Sequence, residues 1–102
     1  MKIFLVSDNL DTAMGFRLAG VDGVVVHSEE EVVETISNLL NDKSVALIMI
    51  AENLVELCRE WIYEVKSSAH TPIVQIPDRH GSKKSASVII GEYLKSALGV
   101  SL

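Results

Sequence analysis

Several things this chain has little of narrow what it can be. It holds one cysteine, Cys58, so no intramolecular disulfide is available, which suits a reducing cytoplasm. No apolar run approaches the roughly 18–20 residues that a membrane span needs. The opening Met1-Lys2-Ile3-Phe4-Leu5-Val6-Ser7-Asp8 turns acidic too early for a secretory signal and offers no small-residue cleavage site. Basic residues number 9 against 14 acidic ones, a net charge of −5, which argues against generic phosphate-backbone binding and hence against nucleic acid as a partner. Linkers, repeats and biased segments are missing too, so the expectation is a single soluble cytoplasmic domain.

What is present fits that expectation. Hydrophobic residues make up 48% and charged residues 23% of 102, close to the globular average. A chain of this length buries roughly 60–70% of the surface it exposes when unfolded, enough for a core without staples. The charge is divided unevenly. Residues 1–76 carry 5 basic and 12 acidic side chains, a balance of −7. Residues 77–102 carry Arg79, Lys83, Lys84 and Lys95 against Asp78 and Glu92, a balance of +2. The domain therefore divides into an acidic body, 1–76, and a basic loop with a C-terminal helix, 77–102, which a partner can tell apart.

Four short apolar runs, 3–6, 24–26, 45–51 and 73–76, are rich in β-branched residues and too short for buried helices, so each predicts a strand. Between them the apolar spacing is helical. Leu10, Ala13, Met14 and Leu18 form a short stripe, with Asp8 or Asn9 as the expected N-cap. Val32, Val33, Ile36, Leu39 and Leu40 form a second, started by the capping-box pair Ser28 and Glu31. Leu54, Leu57, Cys58, Trp61, Ile62 and Val65 form a third, and Ala86, Ile89, Ile90, Tyr93, Leu94 and Ala97 a fourth. Strand and helix alternate throughout, which predicts an α/β fold with a parallel sheet covered on both faces. The seven apolar residues of 45–51 suit a central strand, and 73–76 with its glutamine lies between two prolines, as at an edge. Right-handed crossovers then predict the strand order 2-1-3-4, a flavodoxin-like or receiver-like sheet.

In such a sheet chemistry gathers at the carboxyl ends of the strands, and there the residues resist chemical readings. Asp8 follows strand one, as in a receiver domain, but strand three ends Ile50-Ala51-Glu52 and strand four ends Ile76-Pro77 with no hydroxyl. That set lacks what magnesium-assisted phosphoryl transfer needs, and Asp8 reads as a helix cap. The turn Ser7-Asp8-Asn9-Leu10-Asp11 has no glycine and two negative charges, against a phosphate cradle. Gly81-Ser82-Lys83-Lys84-Ser85 resembles a fragment of a P-loop without its leading glycine or Gly-Lys pair, and a solvated loop explains it better. His27, His70 and His80 lack the spacing of a zinc site. Cys58 sits on an apolar stripe, as a buried inert thiol does. Glu29-Glu30-Glu31 suits the first turn of a helix. The expectation is no catalytic residue, no cofactor, no metal and no small-molecule substrate.

Two residues of the first helix invite a different reading. Phe16 falls outside the stripe of Leu10, Ala13, Met14 and Leu18, so it serves as a lid on a neighbouring loop or as a partner contact. Arg17, in the last turn, either interacts with the helix's final carbonyls or meets a carboxylate. Gly20 is the expected left-handed terminator, and Asp22-Gly23 the turn into strand two.

Gly15-Phe16-Arg17-Leu18-Ala19-Gly20-Val21, after Lys2-Ile3-Phe4-Leu5-Val6-Ser7-Asp8, resembles the F subunit of the V-type (A/V-type) ATPase/ATP synthase. Thr71-Pro72-Ile73-Val74-Gln75-Ile76-Pro77, with a polar loop and a terminal helix after it, is similar to that family's C-terminal half; residues 28–68 match in pattern more than in residues. The resemblance implies a non-catalytic part of a rotary motor, bound to the coiled-coil D subunit of the shaft inside the ring of A and B subunits. It couples ATP hydrolysis or synthesis to ion transport without entering the membrane. A shaft component needs a packed interface rather than isolated surface ion pairs. The expected partner contacts are Phe16, Arg17, Arg79, Lys83, Lys84, Val88, Ile89 and Tyr93. A degenerate receiver-like signalling adaptor is the alternative, and a small nucleotide- or flavin-binding enzyme a distant third.

Overall fold

A computed structural model describes residues 2–77. The chain runs β1 (Lys2–Ser7), α1 (Leu10–Leu18), β2 (Asp22–Val25), α2 (Glu29–Leu40), β3 (Val45–Ala51), α3 (Glu52–Leu57), α4 (Arg59–Ser68) and β4 (Ile73–Ile76). All four strands are parallel, in the order β2-β1-β3-β4. This is the order that the alternation of apolar runs and helical stripes predicts. β3, continuously apolar, lies inside the sheet, and β4 lies at an edge of it.

The period of two along each strand divides the core. Val6, Ile48, Ile50 and Ile73 face one way, packing with Val26 and with Val32, Ile36, Leu39, Leu54, Cys58 and Ile62 from the helices. Leu5, Leu47, Met49 and Ile76 face the other way, against Ala13 and Phe16 of α1 and the loop residue Val21. Each of these side chains is buried, so both faces of the sheet are covered, as parallel sheets require.

The helix starts follow from their caps. The Asn9 side chain accepts from the Thr12 backbone N–H at 3.1 Å, so Asn9 rather than Asp8 caps α1. At α2 the Ser28 hydroxyl accepts from the Glu31 N–H at 3.2 Å, while the Glu31 carboxylate reaches back to the His27 N–H at 3.1 Å. That backbone bond, with help from Ser28, holds the Glu31 carboxyl below its ordinary pKa. Gly20 ends the α1 corner at φ +90°, a conformation that glycine adopts without strain.

Three expectations need correction. The stripe from Leu54 to Val65 is not one helix: Cys58, at φ −135° and ψ 46°, separates α3 from α4. Leu57 is half-exposed, while Leu54, Cys58 and Ile62, spaced i, i+4, i+8 across the break, stay buried. Asp22 and Gly23 are not a turn; they belong to β2, paired with Phe4 and Leu5. A Cβ on Gly23 would stand 3.1 Å from the Leu5 carbonyl oxygen, so the strand sits close at a residue without a side chain. The third correction concerns α1 and bears on the functional surface.

Candidate functional site

The carboxyl ends of β1, β3 and β4 form a small crevice lined by Ser7, Asp8, Asn9, Thr12, Glu52, Asn53 and Pro77. Its cavity, about 10 Å³, has room for about one water molecule. Ser7, fully buried, accepts the Asn9 N–H at 3.0 Å and donates to the Asn9 carbonyl at 3.3 Å, so the turn that follows β1 is stitched shut on itself. The Asp8 carboxylate accepts from the Asn53 side-chain amide at 3.2 Å. Where a receiver would present an acceptor aspartate, β3 ends in Ala51. Among the described residues no group of three or more His, Cys, Asp or Glu side chains could hold a metal ion. Among the described residues the arrangement braces the loops that follow β1 and β3.

The other chemical candidates are accounted for locally. The Cys58 Sγ is buried and donates to the Leu54 carbonyl at 3.0 Å, and burial, with the Glu29 charge adding to it, pushes the thiol pKa up, away from the reactive thiolate. His27 and His70 are exposed, and they lie at opposite ends of the sheet: one follows β2 and the other precedes β4. Glu29, Glu30 and Glu31 occupy the first turn of α2.

The corner of α1 differs from its expected form. Phe16 is 1% exposed and packs with Ala13, the sheet and the loop residue Val21, so it is a core residue with its side chain turned inward. Leu10, Met14 and Leu18, expected in the core, are 62%, 55% and 91% exposed. A nine-residue helix with apolar side chains at 10, 13, 14, 16 and 18 cannot turn them all one way. Burying Phe16, the largest of them, displaces the others. Among the described residues Arg17 meets neither the helix's last carbonyls nor a carboxylate: its Nη2 donates to the Gly23 carbonyl at 3.2 Å, tying α1 to β2. The exposed row of Leu10, Met14 and Leu18 is the feature that periodicity alone assigns to the wrong side. The signal for it was Phe16, whose bulk outweighs a count of smaller apolar positions.

The expected contacts Arg79, Lys83, Lys84, Val88, Ile89 and Tyr93 lie outside the described residues, as does His80.

Among the described residues the body is thus a braced scaffold with an exposed apolar row on one helix. Comparison with known proteins bears on what such a scaffold is for. The family model described as ATP synthase (F/14-kDa) subunit matches residues 3–94. This chain belongs to the F-subunit family of ATP synthases. The F subunit of the A-type ATP synthase of Methanocaldococcus jannaschii is 36% identical over 103 residues, an alignment that spans 100% of this chain and 99% of the relative. The counterpart from Methanothermobacter thermautotrophicus is 37% identical over 99% of this chain and 95% of its own. That from Thermococcus kodakarensis is 36% identical over 100% and 98%. The F-subunit match runs end to end, so the α1 corner and the carboxyl-end crevice both lie within the family's common length. Among the described residues of this family member, no helix is long and apolar enough to cross a membrane.

Proposed function

We propose that this chain is a non-catalytic component of the central rotor of an A/V-type ATP synthase, bound to the coiled-coil D subunit of the shaft. It turns inside the A/B ring as ATP synthesis or hydrolysis is coupled to ion transport. The observation that carries this reading is the F-subunit match along nearly the whole chain. The closed crevice supports it: a loop sealed by Ser7 and an Asp8 engaged by Asn53 suit a rigid body that transmits torque rather than one that turns over a substrate. In this role the protein is cytoplasmic and reaches the membrane only through the complex, with no cofactor or small-molecule substrate of its own.

Co-expression with the shaft protein tests the reading. A stable equimolar complex that survives gel filtration, together with no ATP turnover by the isolated chain, is the expected result. A shaft that fails to capture the chain, or substrate turnover by the chain alone, overturns it. The basic segment should orient the encounter with acidic surfaces, so Lys83→Glu/Lys84→Glu should weaken capture and flatten its salt dependence. Unchanged affinity and salt dependence would remove the segment from the interface.

A further inference from the structure

Helix α1 is apolar on two sides. Ala13 and Phe16 face the sheet, while Leu10, Met14 and Leu18, spaced i, i+4, i+8, form an exposed row. Rows of this spacing are the ridges that interdigitate when two helices pack, and this one is about 12 Å long. Asp11 and Arg17 flank the row, both exposed. Arg17 spends one contact on the Gly23 carbonyl, and among the described residues no carboxylate takes up its other donors. Elsewhere on the described surface the exposed large hydrophobics, Leu57 and Tyr63, stand apart, and Tyr63 lies among Arg59, Glu60 and Glu64. A helix apolar on two sides is a helix with two neighbours, and among the described residues only the sheet is accounted for.

We propose that the Leu10–Met14–Leu18 ridge is the seat for one helix of a partner protein, an apolar-striped helix with a carboxylate on the side that meets Arg17. The proposal rests on the rotor reading and deepens it by assigning the face that grips the shaft. A rotor component held under torque needs an apolar contact of the obligate kind, and this row is where the described surface offers one. The last described residue, Pro77, lies on the other flank. Pro77 lines the crevice beside Thr12, and Thr12 stands about 160° around α1 from Met14. The Arg17 guanidinium, committed toward β2, marks the flank that the ridge faces, and it selects a partner helix carrying acidic residues.

The test uses the full chain carrying Met14→Asp or Leu18→Asp, with Tyr63→Asp as a control on the opposite face, and calorimetric titration against the purified shaft protein. Because these positions are exposed, each isolated variant should melt within about 2 °C of the parent. Met14→Asp and Leu18→Asp should lose at least roughly 30-fold in affinity, and Tyr63→Asp should bind as the parent does. Equal binding by parent and ridge variants overturns the ridge and leaves the rotor reading standing. A melting point lowered by about 5 °C or more in an isolated ridge variant shows that the chain covers the row itself, which also overturns it. So does a concentration-dependent dimer that either ridge variant abolishes, since the occupant is then a second copy. If the parent is not captured at all, the rotor reading falls and the ridge falls with it.

Discussion

α1 and α2 pack on opposite faces of one sheet, both begin at side-chain caps, and they use their apolar residues differently. α2 buries Val32, Ile36 and Leu39 along one stripe and leaves Glu30, Glu31, Glu34 and Asn38 to solvent. It shares its face of the sheet with α3 and α4. α1 is the one described helix on the other face. It buries Ala13 and Phe16 and leaves Leu10, Met14 and Leu18 in solvent. A helix that only has to seal a sheet segregates its residues as α2 does. The outer side of α1 carries apolar residues beyond those that pack on the sheet.

The contrast can be broken experimentally. Its largest consequence is the cost of truncating the two buried anchors. Phe16→Ala should lose about 3–5 kcal/mol and Ile36→Ala about 2–5 kcal/mol in urea unfolding, because each leaves a cavity beneath a helix. By contrast, Leu18→Ser should stay within about 0.5 kcal/mol in the isolated chain, a gap that would vanish if α1 were seated the other way round. Cap removal comes next: Asn9→Ala and Ser28→Ala should each cost about 1 kcal/mol, since each leaves a first-turn N–H without its side-chain acceptor. Equal costs would place the two helices' difference in their faces and not in their ends.

The smallest effect depends on pH. Glu31 has a folded pKa below its unfolded value, chiefly because it accepts the His27 N–H. Its contribution is therefore present above the unfolded carboxylate pKa and is lost as pH falls through the folded one. In Glu31→Gln the acid side of the stability profile should be shallower, with parent and variant converging at low pH; parallel profiles would show that the reach-back bond adds nothing. The carboxylate is fully exposed, so solvent screening keeps the difference small.

Much of this was legible beforehand, and particular residues show why. The run Val45-Ala46-Leu47-Ile48-Met49-Ile50-Ala51 could only be a strand buried on both faces, and it is. Ser28 and Glu31 start α2 because their spacing satisfies backbone donors locally. Phe16 and Cys58 were not legible. A periodicity count weighs Leu10, Met14 and Leu18 as equals of Phe16, whereas the sheet's second face takes the side chain that fills the most volume. Cys58 looks like one more member of an apolar stripe, because nothing in its residue type marks a break in the helix.

The residue order by itself determined the alternation of strand and helix, the parallel order 2-1-3-4 and the capped starts of α1 and α2. Those properties are settled within a few residues, by side-chain periodicity, capping bonds and the handedness of crossovers. Only the tertiary structure decided which side of α1 faces inward, that Arg17 reaches the Gly23 carbonyl, and where the stripe after β3 breaks. These are outcomes of competition for limited core volume between side chains brought together from distant parts of the chain, and no local pattern encodes the winner.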